Sequence, residues 1–523
     1  MNRKKILTGA LILTAAGVIT RILGFVYRIY MSNLMGAEGM GLYQLIMPVY
    51  TLAWSIACAG FNTTVSKLTA QERAKGEYGN MTQMLKQSVI ITTGLGVLLT
   101  IVLYFGAELM AVYFFGDIRT MMPLQILSLA FPFMAAGTCI RGYFIGLQEA
   151  KIPAANQVLE QVVRMIVIYF IAAAFVPRGL EYAAAAALIA IVAEEIFSFL
   201  FVLVAYKRHK SKNKTLLFKK PNITAAQSLG LIFAMALPLT GNRVAGSLLT
   251  AWENVLIPRR LQMYGLPAAE AISEFGRIQG MAIPLIFFPT AVLTALSVTL
   301  VPAVSEATAA NDMKGISAVA SKALLFSAVT GMGAASLFLF FPHELGIAIY
   351  NQPIGLMLKL LGIMCPFIYM QIILSGVLNG LGCQMFIFRN SLISSGICIA
   401  FIFLLVPQFG LPAYIFGWLT SLVVVIALGL GKIRQYMPLE IEFSRWLLRP
   451  LIAAAAAGFT ARLLADRFLF ELAGLRLGLV FAISILGAIY FAGILLSGSI
   501  SRDEIMRLFN LRTKKSAKQN RPI

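Results

Sequence analysis

Arginines inside long apolar runs are the residues of this sequence best suited to chemistry. The first run extends from Ile6 to Met31 and carries Arg21 and Arg28, which are seven residues apart and therefore near one face of a helix. An arginine near the centre of a membrane helix costs roughly 2.5 to 3.5 kcal/mol. We therefore expect it where a polar or anionic group meets it. Arg28 is also close enough to the end of the run to extend its side chain toward the membrane interface.

Further arginines lie in or at the ends of other apolar runs, among them Arg141, Arg243 and Arg277. Within their own runs, Arg243 and Arg277 have no carboxylate at helical spacing, and neither do the two arginines of the first run. A carboxylate on another helix remains an alternative partner. Because a guanidinium fits phosphate with two parallel hydrogen bonds, these residues predict an electropositive cavity that binds an anion.

The acidic residues near apolar runs are few. Glu160 precedes Arg164 by four residues, a spacing that favours an ion pair on one helix face. Glu194 and Glu195 either pair with an arginine or lie near a helix end, and Glu253 follows the seventh apolar run. These five residues are the candidates for ion coupling or for structural pairs.

The composition is that of a protein built almost entirely within a membrane. Hydrophobic residues make up 59% of the 523 and charged residues 12%, against about 25% charged in soluble domains. The net charge of +21 fits basic residues retained on the cytoplasmic side better than nucleic-acid binding. Five cysteines without metal-ligand spacing and two histidines predict no metal site. No nucleotide or catalytic motif is recognisable, so we expect no cofactor, no catalytic residue and no enzymatic activity.

Fourteen apolar segments are predicted to cross the membrane. They are 6–31, 41–66, 87–107, 122–147, 156–176, 182–206, 227–251, 277–303, 319–341, 356–381, 389–407, 412–432, 448–465 and 475–497. An even number puts both termini on one side, and the basic segments 207–220, 432–449 and 502–521 then share that side. The positive-inside rule makes it the cytoplasm. The longer connection 67–86 is predicted to be a cytoplasmic amphipathic segment, and 252–276 is predicted to lie on the external side. Each is interpreted as a solvated loop, with a gating element as the alternative.

Short motifs of the first half recur in the same order in the second half. The matches are Pro132-Phe133 with Pro366-Phe367, Gly142 with Gly376, Gly146-Leu147 with Gly380-Leu381, Asn156 with Asn390, Arg21-Ile22-Leu23-Gly24 with Arg243-Val244-Ala245-Gly246, and Gly41 and Gln44 with Gly276 and Gln279. The repeating unit is six spans, and six is even, so the two copies are parallel and related by a pseudo-two-fold axis along the membrane normal. Arg21 and Arg243 are then equivalent and expected to face each other.

The predicted fold is an all-α polytopic membrane protein of about fourteen helices, with two parallel six-helix lobes around a central cavity and two extra C-terminal helices. Its boundaries are an N-lobe at 1–206, a basic cytoplasmic linker at 207–226, a C-lobe at 227–432, the extra spans at 448–497 and a basic cytoplasmic tail at 498–523.

Several segments resemble one family over the whole chain. They are Leu13-Thr14-Ala15-Ala16-Gly17 through Arg21-Ile22-Leu23-Gly24, Arg28, Gly36-Ala37-Glu38-Gly39 with Gly41-Leu42-Tyr43-Gln44, Lys75-Gly76, and Arg141-Gly142-Tyr143-Phe144-Ile145-Gly146. The sequence resembles the multidrug/oligosaccharidyl-lipid/polysaccharide exporter superfamily, and within it the stage V sporulation protein B group of flippases.

The resemblance implies a V-shaped bundle in a bacterial cell membrane. It implies that an undecaprenyl-pyrophosphate-linked sugar, lipid II for spore cortex peptidoglycan, moves from the inner to the outer leaflet by alternating access. Arg21, Arg28 and Arg277 would then bind the headgroup, and the two last spans would hold the lipid tail. The implied partners are a polyprenyl-pyrophosphate-linked saccharide, membrane lipids and cell-wall synthesis enzymes, without nucleic acid.

Three alternatives remain. An exporter of another polysaccharide lipid would share this organisation. A cation-coupled multidrug exporter requires an essential carboxylate, with Glu194, Glu195 or Glu253 as candidates. A non-transporting scaffold for cell-wall enzymes would tolerate replacement of the cavity arginines but not of the cytoplasmic loops.

Overall fold

The computed structural model describes residues 3–213, 220–310, 312–439 and 442–499. These described residues are helical and contain no strand. The helices are α1 Arg3–Trp54, α2 Gly60–Lys75, α3 Tyr78–Leu109, α4 Met121–Ser128, α5 Phe131–Gly146, α6 Lys151–Phe175, α7 Leu180–Lys212, α8 Ala225–Met263, α9 Ala268–Phe275, α10 Ile283–Phe287, α11 Thr290–Ala309, α12 Met313–Phe340, α13 Pro342–Leu345, α14 Gly355–Gly380, α15 Gln384–Leu404, α16 Val406–Phe409, α17 Leu411–Arg434, α18 Arg449–Leu464 and α19 Phe470–Leu496. Most of the predicted basic tail, from residue 500, and residues 214–219 of the predicted linker lie outside the described residues.

The described part of the chain has eleven helical segments long and apolar enough to cross a membrane, or twelve if α4 and α5, bent by 44°, form one span. Two segments are very long, Ile12–Lys75 with 64 residues and Ser444–Leu496 with 53. Each contains a glycine with positive φ, Gly36 at 67° and Gly474 at 69°, a conformation that glycine adopts without strain. The predicted spans one and two, and thirteen and fourteen, fall on either side of these glycines. The all-α polytopic membrane protein is confirmed, whereas the number fourteen stays a prediction.

Two predicted connections are more helical than expected. Helix α2 continues to Lys75 and ends at Gly76 in a left-handed conformation, so the connection to α3 is only residues 76–77. Helix α8 continues through Pro258 to Met263, which brings the first part of the predicted connection, residues 252–263, into the helix. The helical end of α2 is compatible with the amphipathic segment predicted at 67–86. Helix α8 extends beyond the predicted end of the seventh span at residue 251, because the sequence analysis ended that span where apolar residues end, whereas a helix can extend beyond the hydrocarbon.

The chain divides into two compact units. The first comprises Met1–Pro284 with Ser395–Gly417, and the second comprises Leu285–Ser394 with Trp418–Ile523. In the first unit, helices α2, α3, α5 and α7 bury a core that includes Phe61, Tyr143 and Phe144. In the second unit, α12 and α14 pack closely against each other. Tyr369 of α14 is buried there and donates a hydrogen bond to the Ile286 carbonyl at 3.0 Å. The lobe boundaries 1–206 and 227–432 stay a prediction.

The repeat in sequence is also a repeat in packing within each unit. In the first unit, a Cβ on Gly96 would lie 2.9 Å from the Cα of Pro132. In the second, a Cβ on Gly331 would lie 2.5 Å from the Cα of Pro366. A second contact recurs in the same way. Gly142 packs against the carbonyl of Asn62 in the first unit, and Gly376 packs against the carbonyl of Ser297 in the second. Since equivalent glycines accept equivalent helix contacts, the two halves of the sequence build the same local packing.

Candidate functional site

A cavity of about 370 Å³ lies within the first unit, between α1, α8 and the π-helical segment Gly276–Ala282. This segment is a widened turn, because a π-helix has more residues per turn than an α-helix. The cavity walls combine hydroxyl and amide groups with apolar side chains. The lining residues are Gln44, Met47, Pro48, Thr51, Trp54, Ser55, Asn242, Arg243, Gly246, Ser247, Thr250, Asn254 and Gln279. Arg243 is the one charged residue among these lining residues, so the walls of the cavity carry positive charge.

Helix α8 supplies most of the polar wall. Asn242, Gly246, Thr250 and Asn254 recur every four residues, so they lie along one face. Arg243 is close to the midpoint of this 39-residue helix. The sequence analysis identified the arginine but missed the amides and the hydroxyl, because it considered only charged residues. The four-residue spacing of polar side chains in an otherwise apolar helix was the signal that could have revealed them.

Arg243 is available to a ligand. Its side chain is exposed and forms no hydrogen bond or ion pair with any residue that the structure describes. Nearby, the hydroxyls of Ser55 and Ser247 lie 2.6 Å apart and bridge the two helices that form the walls. A guanidinium among amides and hydroxyls offers donors for an anion and both donors and acceptors for sugar hydroxyls. Such an arrangement can bind and orient a polar or anionic ligand.

One wall of the cavity depends on a close helix contact. A Cβ on Gly41 would lie 2.1 Å from the Ile272 carbonyl oxygen, and a Cβ on Gly276 would lie 2.0 Å from that of Ala37. These small residues let two helix backbones meet, as in small-xxx-small membrane contacts. Gly41 and Gly276 are equivalent positions of the sequence repeat, so repeat-related residues contact each other here.

The widened turn that follows Gly276 exposes a carbonyl to two side chains. A turn of this width departs from the regular helical hydrogen-bond ladder. The Gln279 carbonyl accepts from Arg28 Nη1 at 3.4 Å and from Gln44 Nε2 at 3.5 Å. Arg28 is therefore held beside the cavity wall, although it is not a lining residue.

The other predicted headgroup arginines do not line this cavity. Arg277 Nη1 lies 2.7 Å from Glu274 Oε1, and its buried Nε has no partner among the described residues. The sequence analysis missed this pair because Glu274 lies just before the predicted start of the eighth span. Arg21 is exposed and is likewise outside the cavity lining. Of the predicted arginines, the structure therefore brings Arg243 into the cavity and Arg28 to its wall.

Arg141 belongs to a separate buried network. Its Nη1 donates to Glu160 Oε1 at 2.6 Å and to Ser198 Oγ at 2.8 Å. Asn156 also donates to Glu160, at 2.7 Å. Three helices, α5, α6 and α7, are tied together by these contacts. In this conformation Arg141 is paired with a carboxylate on another helix, and its predicted part in headgroup binding stays a prediction.

The predicted Glu160–Arg164 ion pair is wrong. Arg164 instead donates through both Nε and Nη2 to the carboxylate of Glu194 on α7, and its guanidinium lies 5.6 Å from the ring centre of Tyr27. Helical spacing permits the pair within α6, but buried side chains between packed helices find partners across the interface. For Glu194, pairing with an arginine is therefore the alternative that the structure selects.

The remaining acids are less completely satisfied. Glu195 accepts a hydrogen bond from the Tyr50 hydroxyl at 2.5 Å, and its Oε2 is buried without a partner among the described residues. Glu253 lies within α8 rather than in a connection, and its Oε1 is likewise buried without a described partner. These two carboxylates remain the candidates for ion coupling. Among the described residues, no group of three or more histidine, cysteine or acidic residues could hold a metal.

Comparison with known proteins places the chain in a family. A model of the polysaccharide biosynthesis protein family matches residues 6–308. The chain is 30% identical over 514 residues to stage V sporulation protein B of Bacillus subtilis (strain 168), covering 97% of this chain and 98% of that protein. It is 28% identical over 367 residues to lipid II flippase MurJ of the same organism, covering 67% and 65%.

The fold comparison agrees with the sequence comparisons. A solved structure of lipid II flippase MurJ in an inward closed conformation superposes with a TM-score of 0.70 at 13% identity, covering 92% of this chain and 98% of that one. At this identity the superposition supports the fold alone. Together with the apolar helices described above, the family match makes this chain a multi-pass membrane protein that belongs to the polysaccharide biosynthesis protein family.

Proposed function

We propose that the protein is a flippase that moves a lipid-linked saccharide across the membrane by alternating access. The observation that carries the proposal is the cavity around Arg243, which combines one cation with amide and hydroxyl groups. A phosphate linkage cannot enter hydrocarbon without a replacement for its hydration, and a guanidinium supplies that replacement. The names of the relatives, a lipid II flippase among them, support the same class of substrate.

The finer assignment is an undecaprenyl-pyrophosphate-linked sugar, specifically lipid II for spore cortex peptidoglycan, moved from the inner to the outer leaflet. Its support is the similarity along nearly the whole chain to stage V sporulation protein B. We propose Arg243 as the first headgroup contact and Arg28, on the cavity wall, as the second. Arg277 would bind the headgroup in a conformation in which its ion pair with Glu274 is open. Arg21 would join the headgroup site in another conformation of the transport cycle.

Binding of an undecaprenyl-pyrophosphate disaccharide to the purified protein tests the proposal. Arg243→Gln should weaken binding by about ten- to a hundredfold, since hydrogen bonds to a charged group contribute about 1.5 to 3 kcal/mol. Arg178→Gln is the matched control, because Arg178 lies in the turn before α7 and lines no cavity described here. The control should bind as the wild type does.

A cationic dye measured alongside separates the alternatives. If the dye binds and the lipid does not, and if Glu195→Gln or Glu253→Gln abolishes dye transport in liposomes, the protein is a cation-coupled exporter. If Arg243→Gln leaves both lipid binding and cell-wall synthesis intact while loop substitutions do not, it is a scaffold. Either result rejects the flippase.

A further inference from the structure

A second and larger cavity, of about 680 Å³, lies in the first unit, where its lining residues come from α2, α3, α6, α7 and the link between α5 and α6. Arg73 lines it from α2, Ile152 from α6, and Phe201, Arg208 and Lys212 from α7. It is separate from the Arg243 cavity, since the two have no lining residue in common. The proposed transport mechanism makes no use of it.

One helix face contributes both an apolar and a basic part to the cavity. Along α7, Phe201, Val204 and Ala205 come first, and Arg208 and Lys212 follow at spacings of three and four residues. Val204 is 46% exposed and lies in a helix long and apolar enough to cross a membrane, where acyl chains would contact such a side chain. The cavity lining thus has an apolar end and a basic end.

The basic groups exceed the acidic ones in the lining. Arg73, Arg208 and Lys212 face one acid, Glu149, which lies 3.8 Å from His209 Nδ1. Arg208 and Lys212 make no hydrogen bond or ion pair with any residue in the described part of the chain. Among the described residues, neither charge has an acidic partner.

Arg73 is fixed in place by the protein. It donates a hydrogen bond to the Leu147 carbonyl, and its neighbour Glu72 accepts from Asn80 at 2.8 Å. These contacts tie the end of α2 to the start of α3 and to the link between α5 and α6. The cavity therefore has one basic group held by the protein, Arg73, in addition to Arg208 and Lys212 of α7.

We propose that this cavity binds an anionic phospholipid of the phosphatidylglycerol type, with the phosphate between Arg208, Lys212 and Arg73 and an acyl chain along Phe201 and Val204. Basic pockets between membrane helices bind lipid headgroups in this way. A soluble phosphate would use the basic groups and leave the apolar wall unused. This site is independent of the flippase proposal.

Binding of short-chain phosphatidylglycerol to the full-length protein in neutral detergent tests the proposal. Arg208→Gln with Lys212→Gln should weaken binding roughly thirtyfold, because each basic group near an anionic lipid contributes about a fivefold factor. The matched control, Lys207→Gln with Lys220→Gln, removes the same charge from exposed positions outside the cavity lining. It should weaken binding less than about threefold.

Two further measurements identify the occupant. Short-chain phosphatidylcholine and glycerol phosphate should both bind far more weakly than phosphatidylglycerol. Ala205→Trp keeps every charge and fills the cavity, so it should also reduce phosphatidylglycerol binding. This variant replaces the double variant as the test if the double variant fails to fold. The proposal is overturned if the two double variants lose the same amount of phosphatidylglycerol affinity. It is also overturned if phosphatidylcholine or glycerol phosphate binds as tightly as phosphatidylglycerol.

Discussion

Arginines in this protein have roles that their surroundings decide. Arg141 and Arg164 are both partly buried, and each meets a carboxylate on another helix, Glu160 and Glu194. Arg243 is also an arginine in an apolar helix, but it faces a cavity whose lining residues include no aspartate or glutamate. The first two hold helices together, and only the third is free of protein partners among the described residues.

Breaking the Arg164–Glu194 pair should destabilise the protein. Arg164→Met leaves Glu194 buried, with 3% of its side chain exposed and without its cation. Removing one member of a buried pair costs about 3 to 5 kcal/mol. We expect a clear drop in the thermal unfolding midpoint of the purified protein in detergent.

The double variant Arg164→Met with Glu194→Leu is the control for that prediction. Because it removes both charges, it should recover most of the lost stability. If the single variant is as stable as the wild type, the pair is not a stabilising element of the fold.

At the scale of helices, small residues decide where two backbones meet. Gly41 in α1 and Gly276 before α10 lie in contact, and the neighbouring Gln279 carbonyl forms part of the cavity wall. Bilayers give no hydrophobic drive for helices to associate, so close backbone packing has to supply it. The shape of the candidate site therefore depends on two residues that have no side chain.

A single methyl group at this contact should be harmful. Gly41→Ala would place a carbon 2.1 Å from the Ile272 carbonyl oxygen, and overpacking typically costs about 1 to 3 kcal/mol. Gly94→Ala is the matched control, since nothing lies within 4 Å of its Cβ position and alanine favours helix by about 0.5 to 1 kcal/mol.

Thermal unfolding and saccharide-lipid binding together check this prediction. Gly41→Ala should lower both the thermal unfolding midpoint and the affinity for the saccharide lipid, whereas Gly94→Ala should lower neither. Equal behaviour of the two alanine variants would mean that the helices can separate here without cost.

At the scale of the molecule, the charge distribution predicts the orientation. Basic residues concentrate in the segments predicted to be cytoplasmic, and both termini are predicted to share that side. The five cysteines, Cys58, Cys139, Cys365, Cys383 and Cys398, are buried and free. A cysteine introduced at an exposed position therefore reports its side of the membrane with little background.

Labelling of intact cells with a membrane-impermeant maleimide tests the orientation. Arg178→Cys, in the turn before α7, should react from outside, and Lys207→Cys, near the end of α7, should react only after the cells are opened. The reverse pattern would invert the topology and would place the phospholipid cavity in the outer leaflet.

An all-helical, multi-pass membrane protein is predictable from the sequence alone, because long apolar segments in lipid have to satisfy their backbone hydrogen bonds internally. The repeat is predictable as well, since equivalent glycines such as Gly142 and Gly376 recur in order and accept equivalent contacts. Which arginine faces a cavity and which is paired is visible only in the folded protein. The partners of Arg141 and Arg164 lie 19 and 30 residues away, and helical spacing carries no information about contacts between helices.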